Sequence, residues 1–355
     1  MATNLTSLFV LFCLLAFAPL LALFVFESQP TIQPRVAEKG GVVSAMEDAP
    51  PPAESEVFLS AVNEIPQARN TEIPQEGKMP RWMTWGVYAG DEEQSIKDFE
   101  QAVGKKPQFE MVFVHWGSDP DFPLRYARHV RDEGKALVIF WEALDYRRDY
   151  FDQPGYGFDQ VLSGALDPYF KNFRDEAVAY GAPIILVPYS EFNGNWFPWG
   201  GTLGNNSPEK YVSAYRHLRG FFVDVPNVQF AWVANNKNVP DIPQNALERY
   251  YPGDQYVDVV GVNGFNYGGS SEQTFDQLFG DVLRRLTAYE KPIYVFSMGT
   301  ANGPGKPSWI KNALAFELYK YPEVKGWLWF NVKKERDWRV TADSAALSAF
   351  RDALP

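Results

Sequence analysis

The sequence predicts an α/β protein of the (β/α)8 TIM-barrel class, preceded by an apolar N-terminal segment and a flexible linker. Two observations predict this fold. Eight short apolar runs recur after Met79, and the stretches between them have helical spacing. Continuous apolar runs of this length are typical of parallel strands that are buried on both faces. The runs are WMTWGVYA, FEMVFVHW, ALVIFW, PIILVPY, VQFAWVA, VDVVGVN, PIYVFSM and VKGWLWF.

Helix ends between the runs support the alternation. Asp167 is a predicted N-cap with Pro168 at the first helical position, and Gly181 is the predicted end of that helix. Ser207 and Pro208 repeat the same start. An open doubly wound sheet is the alternative fold. It is disfavoured because no glycine-rich phosphate-binding loop follows the first run.

The N-terminal part differs in character from the rest. Residues 8–26 form an uncharged apolar run, about as long as a bilayer span. We therefore expect residues 1–28 to be a signal peptide or a membrane anchor, and the protein to be exported or held at the cell surface. Residues 29–78, rich in Pro, Glu and Ala, are a predicted flexible linker. Residues 79–355 are the predicted barrel domain.

Charge and cysteine content exclude several classes of function. The formal charge of −11 argues against nucleic acid, whose phosphates need Lys and Arg. A neutral polysaccharide or oligosaccharide is a compatible partner. The single cysteine, Cys13, lies in the apolar run, so the chain has no internal disulfide and no cysteine metal site. We expect no cofactor and no metal ligand at the site.

In a (β/α)8 barrel, the functional residues lie at the carboxyl ends of the strands. Many residues that end or follow the eight runs are amides, which can bind hydroxyl groups, or aromatic rings, which can stack on sugars. His115 ends the second run and could face the same cleft. The positions are Gly90, Asp91, Trp116, Glu142, Glu191, Asn193, Asn235, Asn236, Asn263, Phe265, Ser297 and Asn331.

Several longer segments resemble glycoside hydrolase family 26. They are EFNGNWFPWGG, YYPGDQYVDVVGVNGFNYG, KPIYVFSMGTANGPGKPSWI, VKGWLWFNVKKERDWRV and FWEALD. The best-known members of this family are β-mannanases, and relatives act on mixed-linked β-glucans and xylans. The resemblance implies a (β/α)8 barrel and retaining hydrolysis by two glutamates, at the ends of strands four and seven.

Glu191 matches the acid/base of that family. Such a residue needs a raised pKa to protonate the leaving oxygen, and enclosure by Trp196 and Trp199 would provide the desolvation. The nucleophile glutamate, however, is replaced by Ser297. Three supporting positions differ as well, because Phe265 replaces a Tyr, Ser190 a His and Val187 an Arg of the family pattern.

Three hypotheses follow from this pattern. In the first, the protein hydrolyses a β-1,4-linked polysaccharide such as mannan or β-glucan, with Glu191 as general acid and Glu142 or Asp145 as base or stabiliser. In the second, it is a catalytically inactive protein that binds carbohydrate in the same cleft. In the third, it is a structural interaction protein. The predicted substrate-binding residues are Asn193, Trp196, Trp199, Trp232, Asn235, Asn263, Phe265, Trp327 and Trp329.

Overall fold

The structure is a computed structural model that describes residues 77–355. The predicted export segment and almost all of the predicted linker lie outside the described residues. The described part begins next to the C-terminus, because the Met79 N–H donates to the Ala353 carbonyl over 2.7 Å and Lys78 Nζ donates to the Leu354 carbonyl over 2.9 Å. Within residues 77–355, no helix combines the length and apolar character needed to cross a membrane.

The strands form a closed parallel barrel in which sequence order is also spatial order. Each predicted apolar run overlaps one strand, and the closed barrel confirms the (β/α)8 prediction and excludes the open sheet. The strands are β1 (Thr84–Tyr88), β2 (Phe109–His115), β3 (Ala136–Glu142), β4 (Ile184–Pro188), β5 (Val228–Asn235), β6 (Val259–Asn266), β7 (Ile293–Thr300) and β8 (Val324–Phe330).

Helices connect most of the strands on the outside of the barrel. Two helices lie between β3 and β4, whereas β5 and β6 are joined by 3-10 turns at Pro243–Asn245, Leu247–Tyr250 and Asp254–Tyr256. The α-helices are α1 (Glu93–Val103), α2 (Leu124–Asp132), α3 (Phe158–Leu162), α4 (Asp167–Tyr180), α5 (Pro208–Gly220), α6 (Phe275–Leu286), α7 (Lys306–Asn312) and α8 (Ser344–Ala353).

The helix ends differ partly from the prediction. Ser207 caps α5 as expected, since its side chain accepts a hydrogen bond from the Lys210 N–H. Gly181 ends α4 in a left-handed conformation with φ 72°. The prediction for Asp167 is wrong: it lies inside the first turn of α4. Its carboxylate contacts His217 Nε2 at 2.7 Å instead of capping the helix.

Alternate residues of each strand pack into two separate apolar layers. The inner layer fills the barrel and includes Met111, Val138 and Ile185. The outer layer lies between the strands and the helices, where Val112 and Ile139 join helical residues. Both faces of the strands are buried, which explains why the apolar runs in the sequence are continuous rather than alternating.

Candidate active site

The chain makes a sharp turn at the end of β4. Tyr189 has φ 51° and Glu191 has φ 57°, so two non-glycine residues on either side of Ser190 are left-handed. Such residues are uncommon, and they cluster at functional sites. Tyr189 is fully buried in the outer layer. The Glu191 N–H donates to the Val233 carbonyl over 2.8 Å, which fixes the turn against β5.

The Glu191 side chain lies between two donors at the carboxyl ends of the strands, called here the mouth of the barrel. Asn263 Nδ2, at the mouth end of β6, donates to Oε1 over 2.9 Å. Trp196 Nε1 donates to Oε2 over 2.7 Å. The indole of Trp196 packs directly on Gly194, where a Cβ would lie 2.5 Å from Cζ2. The glycine therefore allows the ring to reach the carboxyl group.

The environment of Glu191 favours its protonated form. Burial raises the pKa of this carboxyl group, and the negative charge of Glu142 acts in the same direction. The hydrogen bonds from Asn263 and Trp196 and the charge of Lys334 lower the pKa, but burial outweighs them. A carboxyl group with a raised pKa can donate a proton near neutral pH, which is what a general acid requires.

Glu142 provides a second carboxylate at the mouth. It ends β3 in phase with Phe140 of the inner layer and is 6% exposed. Its Oε2 lies 3.2 Å from His115 Nε2 at the end of β2. Burial lowers the pKa of His115, but the hydrogen bond and charge of Glu142, together with the charges of Asp91 and Asp119, raise it overall. His115 therefore reaches the mouth of the barrel, where it contacts the Glu142 carboxylate.

Asp145 is held in a different arrangement. Its two oxygens accept hydrogen bonds from Arg147 Nε and Nη2, each over 2.8 Å. The hydrogen bond from Arg147 lowers the pKa of Asp145 to about 2. Asp145 is thus committed to a neighbouring arginine, and Glu142 is the better candidate for the second carboxylate.

Ser297 lies beside Asn263 on the same rim. The register of β6 and β7 pairs Val262 with Val295 and Asn263 with Ser297, so β7 has an extra residue there, a β-bulge. Ser297 is 3% exposed. Asn263 Oδ1 is buried and has no hydrogen-bond partner among the described residues. The rim thus has one unused acceptor next to the Glu191 carboxyl group.

Phe265 lies two residue pairs beyond the Asn263–Ser297 pair, on the same face of the sheet. It pairs with Gly299 of β7. Its ring packs against Trp338, with centroids 4.9 Å apart, and against Phe330 at 5.4 Å. Phe265 is half-buried beside the inner layer, so one edge remains available at the mouth.

The prediction that Trp232, Trp327 and Trp329 bind substrate is wrong. All three are fully buried in the outer layer, on the helix side of the barrel. Trp232 stacks on Phe192 at 5.0 Å, and Trp329 lies 5.5 Å from Phe350 of α8. Strand alternation correctly placed Trp327 and Trp329 on one face, but that face is directed away from the mouth.

Trp199 and Asn193 are also structural. Trp199 is 3% exposed, and its Nε1 donates to the Ser190 carbonyl over 2.7 Å. Asn193 is fully buried, and its Nδ2 contacts the carbonyls of Asn235 and Lys237 and Oδ1 of Asn238. These contacts join the loops after β4 and β5, and they leave Asn193 no group for a substrate. Asn235, in contrast, is half-buried, so part of this residue is accessible.

The loops contribute aromatic residues that the sequence pattern did not indicate. Tyr146 is 59% exposed, and its ring meets His115 edge-on at 5.2 Å. Burial, followed by the charges of Glu142, Glu191 and Glu335, raises the pKa of Tyr150. Tyr150 therefore lies in the field of carboxylates from β3, β4 and the loop after β8. Irregular loops have no periodicity, so only their richness in Tyr and Phe could have suggested these positions.

A closed parallel barrel with titratable groups at the carboxyl ends of its strands is the arrangement of a TIM-barrel enzyme site. Residues 150–354 match the family model of glycosyl hydrolase family 26. Endoglucanase H of Acetivibrio thermocellus is 32% identical over 281 residues, which cover 76% of this chain and 30% of that protein. A mannan endo-1,4-beta-mannosidase of Bacillus subtilis is 29% identical over 180 residues, covering 49% and 44%. The chain belongs to glycosyl hydrolase family 26, and it spans less than half the length of these two relatives.

Solved structures share the fold at low sequence identity. GH26A from a Muricauda species superposes with a TM-score of 0.57 at 20% identity, covering 84% of this chain and 93% of that one. An endo-beta-1,4-mannanase double mutant of Cellulomonas fimi gives a TM-score of 0.60 at 18% identity, covering 84% and 73%. At these identities the likeness supports the barrel fold alone.

Proposed function

We propose that this protein is a glycoside hydrolase that cleaves a β-1,4-linked polysaccharide, a mannan or a β-glucan, with Glu191 as its general acid. One observation carries the proposal. The Glu191 carboxyl group lies at the mouth of a family 26 barrel, between Asn263 Nδ2 and Trp196 Nε1, and burial raises its pKa. The names of the two relatives, an endoglucanase and a mannan endo-1,4-beta-mannosidase, support the substrate class.

The two donors suit the role of an acid that becomes an anion. As Glu191 transfers its proton to the leaving oxygen, negative charge develops on the carboxyl oxygens. The Trp196 and Asn263 N–H groups already point at these oxygens, so they stabilise the transition state more than the ground state. The raised pKa keeps the proton in place until then.

Ser297 occupies the position that resemblance assigns to the nucleophile, and a serine hydroxyl cannot offer a negative charge to an oxocarbenium-like transition state. Glu142 is the carboxylate that can compensate, because it is inward-facing, close to His115 and electrostatically coupled to Glu191. With Glu142 as the base that activates water, hydrolysis inverts the anomeric centre. That route needs two carboxyl groups roughly 6.5–9.5 Å apart.

The stereochemistry of the product tests this assignment. Proton NMR of a β-1,4-mannan or β-glucan digest should show the α-anomer first, and Glu142→Gln should remove the activity. First appearance of the β-anomer would contradict the inverting route. Asn331→Asp is the control for a change of charge at the mouth. Asn331 follows β8, and an aspartate there keeps an oxygen that can accept the hydrogen bond from the Val340 N–H.

Ser297→Glu tests the vacant position directly. The added carboxylate, about 5–5.5 Å from Glu191 in a retaining site, should create or strongly raise retaining activity. Phe265→Tyr in the same chain should raise it further by donating a hydrogen bond to that carboxylate. The wild type could instead hydrolyse natural polymer fast and lose that activity in Ser297→Glu. Position 297 would then not be a vacant nucleophile site.

A second candidate function is carbohydrate binding without catalysis, favoured by Ser297 alone. The barrel mouth would then retain sugar without cleaving it, and both Glu191→Gln and Glu142→Gln would leave binding intact. Export of the protein, with residues 8–26 as a possible membrane tether, is a further proposal that fits a polymeric substrate outside the cell. Detection of the tagged chain in the membrane fraction or the medium would test it.

A further inference from the structure

We propose that Tyr150, Phe151 and Phe197, called here the aromatic strip, bind pyranose units of the polysaccharide at a distance from Glu191. This inference rests on the proposed function and names a binding surface outside the acid and its donors. The rings form a chain, with centroids of Tyr150 and Phe151 5.5 Å apart and those of Tyr150 and Phe197 6.4 Å apart. Phe197 in turn stacks on Trp199 at 4.6 Å with an interplanar angle of 7°.

Two residues of the strip, Tyr150 and Phe151, are exposed although they are large and aromatic, and Phe197 is half-buried. Phe151 is 60% exposed and Tyr150 is 37% exposed, whereas most aromatic residues of the barrel are buried. A contiguous cluster of exposed aromatic side chains is typical of a binding surface. Flat rings suit the apolar faces of pyranoses, whose hydroxyl groups remain free at the edge.

The strip is continuous with the site at Glu191. Phe197 directly follows Trp196, whose indole donates to Glu191. Tyr150 lies in the electrostatic field of both Glu142 and Glu191. A chain that places one glycosidic bond at Glu191 can therefore continue over Tyr150 and Phe151 without leaving the protein surface.

A cavity of about 250 Å³ lies beside the strip and explains where the sugar edges can go. Phe151, Tyr156 and Trp199 contribute apolar walls, and Asp152 and Asn206 contribute polar groups. Apolar walls with a few polar groups are typical of small-ligand sites. The Asp152 carboxylate, whose Oδ2 lies 3.9 Å from Arg148 Nη2, can accept hydrogen bonds from the hydroxyl groups that a neutral sugar supplies.

Affinity electrophoresis tests the strip, in gels that contain glucomannan or mixed-linked β-glucan. Tyr150→Ala and Phe151→Ala should each weaken the retardation about threefold to tenfold, the expected loss for a stacked ring. Phe316→Ala is the matched control, because Phe316 is 45% exposed but lies in the helical layer. The control should migrate like the wild type, and thermal melting should show that all three variants are folded.

Binding of β-1,4-linked oligosaccharides of increasing length locates the effect. The strip variants should lose affinity for a hexasaccharide and keep the wild-type affinity for a disaccharide, which fills only the places next to Glu191. Equal losses for both lengths would overturn the distal assignment. Wild-type retardation in the strip variants, with retardation lost in Trp196→Ala, would refute the strip and leave the proposed function standing. A wild type that no neutral polysaccharide retards would refute the strip, whereas absence of reducing-sugar release from the same polymers would refute the proposed function.

Discussion

Gly194 is the position where a single methyl group should disturb the acid without touching it. A Cβ at this position would lie 2.5 Å from Cζ2 and 2.7 Å from Cε2 of Trp196. Both distances are far inside van der Waals contact, so in Gly194→Ala the indole must move. Its Nε1 then leaves the 2.7 Å hydrogen bond to Glu191 Oε2. Asn263 remains as the other donor.

The size of the effect follows from the bond that is lost. A hydrogen bond to a charged group contributes about 1.5–3 kcal/mol. Because about 1.4 kcal/mol corresponds to a factor of ten, kcat should fall about tenfold to a hundredfold. KM should change less, since the bond strengthens as Glu191 becomes an anion. Loss of a donor that lowers the pKa of Glu191 should also move the basic limb of the pH–rate profile to higher pH.

Initial rates of reducing-sugar release across a pH series measure both effects. Gly220→Ala is the matched control, because a Cβ at Gly220 meets nothing within 4 Å. Trp196→Phe, which keeps an aromatic ring but removes the indole N–H, should reproduce the kcat loss of Gly194→Ala. Wild-type kcat and an unmoved pH profile in Gly194→Ala would refute the role assigned to the Trp196 hydrogen bond.

Three further variants test where other residues act. Trp329→Ala should lower the free energy of unfolding by about 3–5 kcal/mol, because a large buried ring is removed, and should leave polysaccharide binding unchanged in affinity gels; weakened binding at unchanged stability would return Trp329 to the cleft. Asn193→Ala should cost more than about 2 kcal/mol in chemical denaturation, since several buried polar groups lose a partner, and wild-type stability would contradict its role in joining the loops. Burial lowers the pKa of His115, but Glu142 and neighbouring carboxylates raise it overall. The interaction of His115 with Glu142 therefore stabilises the fold fully below the unfolded pKa of about 6.5. This stabilisation is lost as the pH rises through the folded pKa. His115→Gln should therefore destabilise the protein more at about pH 5 than at about pH 9, and equal losses at the two pH values would contradict the pairing.

The fold could be predicted from the sequence because barrel strands have a strong local signature. All seven residues of β3 are buried, and the apolar run in the sequence shows this directly. The position of Glu191 after the fourth run placed it at the mouth, since strand ends define function in this fold. The helix-capping rule, which is also local, fails at Asp167. Its carboxylate contacts His217 on a neighbouring helix instead of capping its own helix.

The apolar character of both strand faces makes the strands easy to find in the sequence, but it prevents the strand tryptophans from being assigned to the inner or the outer face. Both faces of a barrel strand are apolar, so alternation shows which residues share a face and not which face is outside. Trp327 and Trp329 share the outer face. Register irregularities between β7 and β8 make that phase still harder to predict.

Loop residues depend on tertiary contacts that have no periodic signal. Asn193 carries an amide of the kind that can bind sugar hydroxyl groups. Its polar atoms are instead hydrogen-bonded to the backbone at the end of β5 and in the loop that follows. The sequence pattern does not indicate Tyr150 and Phe151, because they lie in an irregular loop, and only the fold brings Tyr150 to Phe197. In both cases the distance along the sequence to the decisive neighbour is long, which local pattern cannot bridge.

The general-acid role of Glu191 is tested most directly by the initial rate of hydrolysis of soluble glucomannan and mixed-linked β-glucan by wild type and Glu191→Gln. Glutamine retains the size of the side chain and can still accept from Trp196, but it has no acidic proton to donate. The rate should fall about 10²–10⁴-fold, the usual contribution of general acid catalysis, while retardation in affinity gels persists. Glu191→Gln hydrolysing either polymer at the wild-type rate would contradict the account.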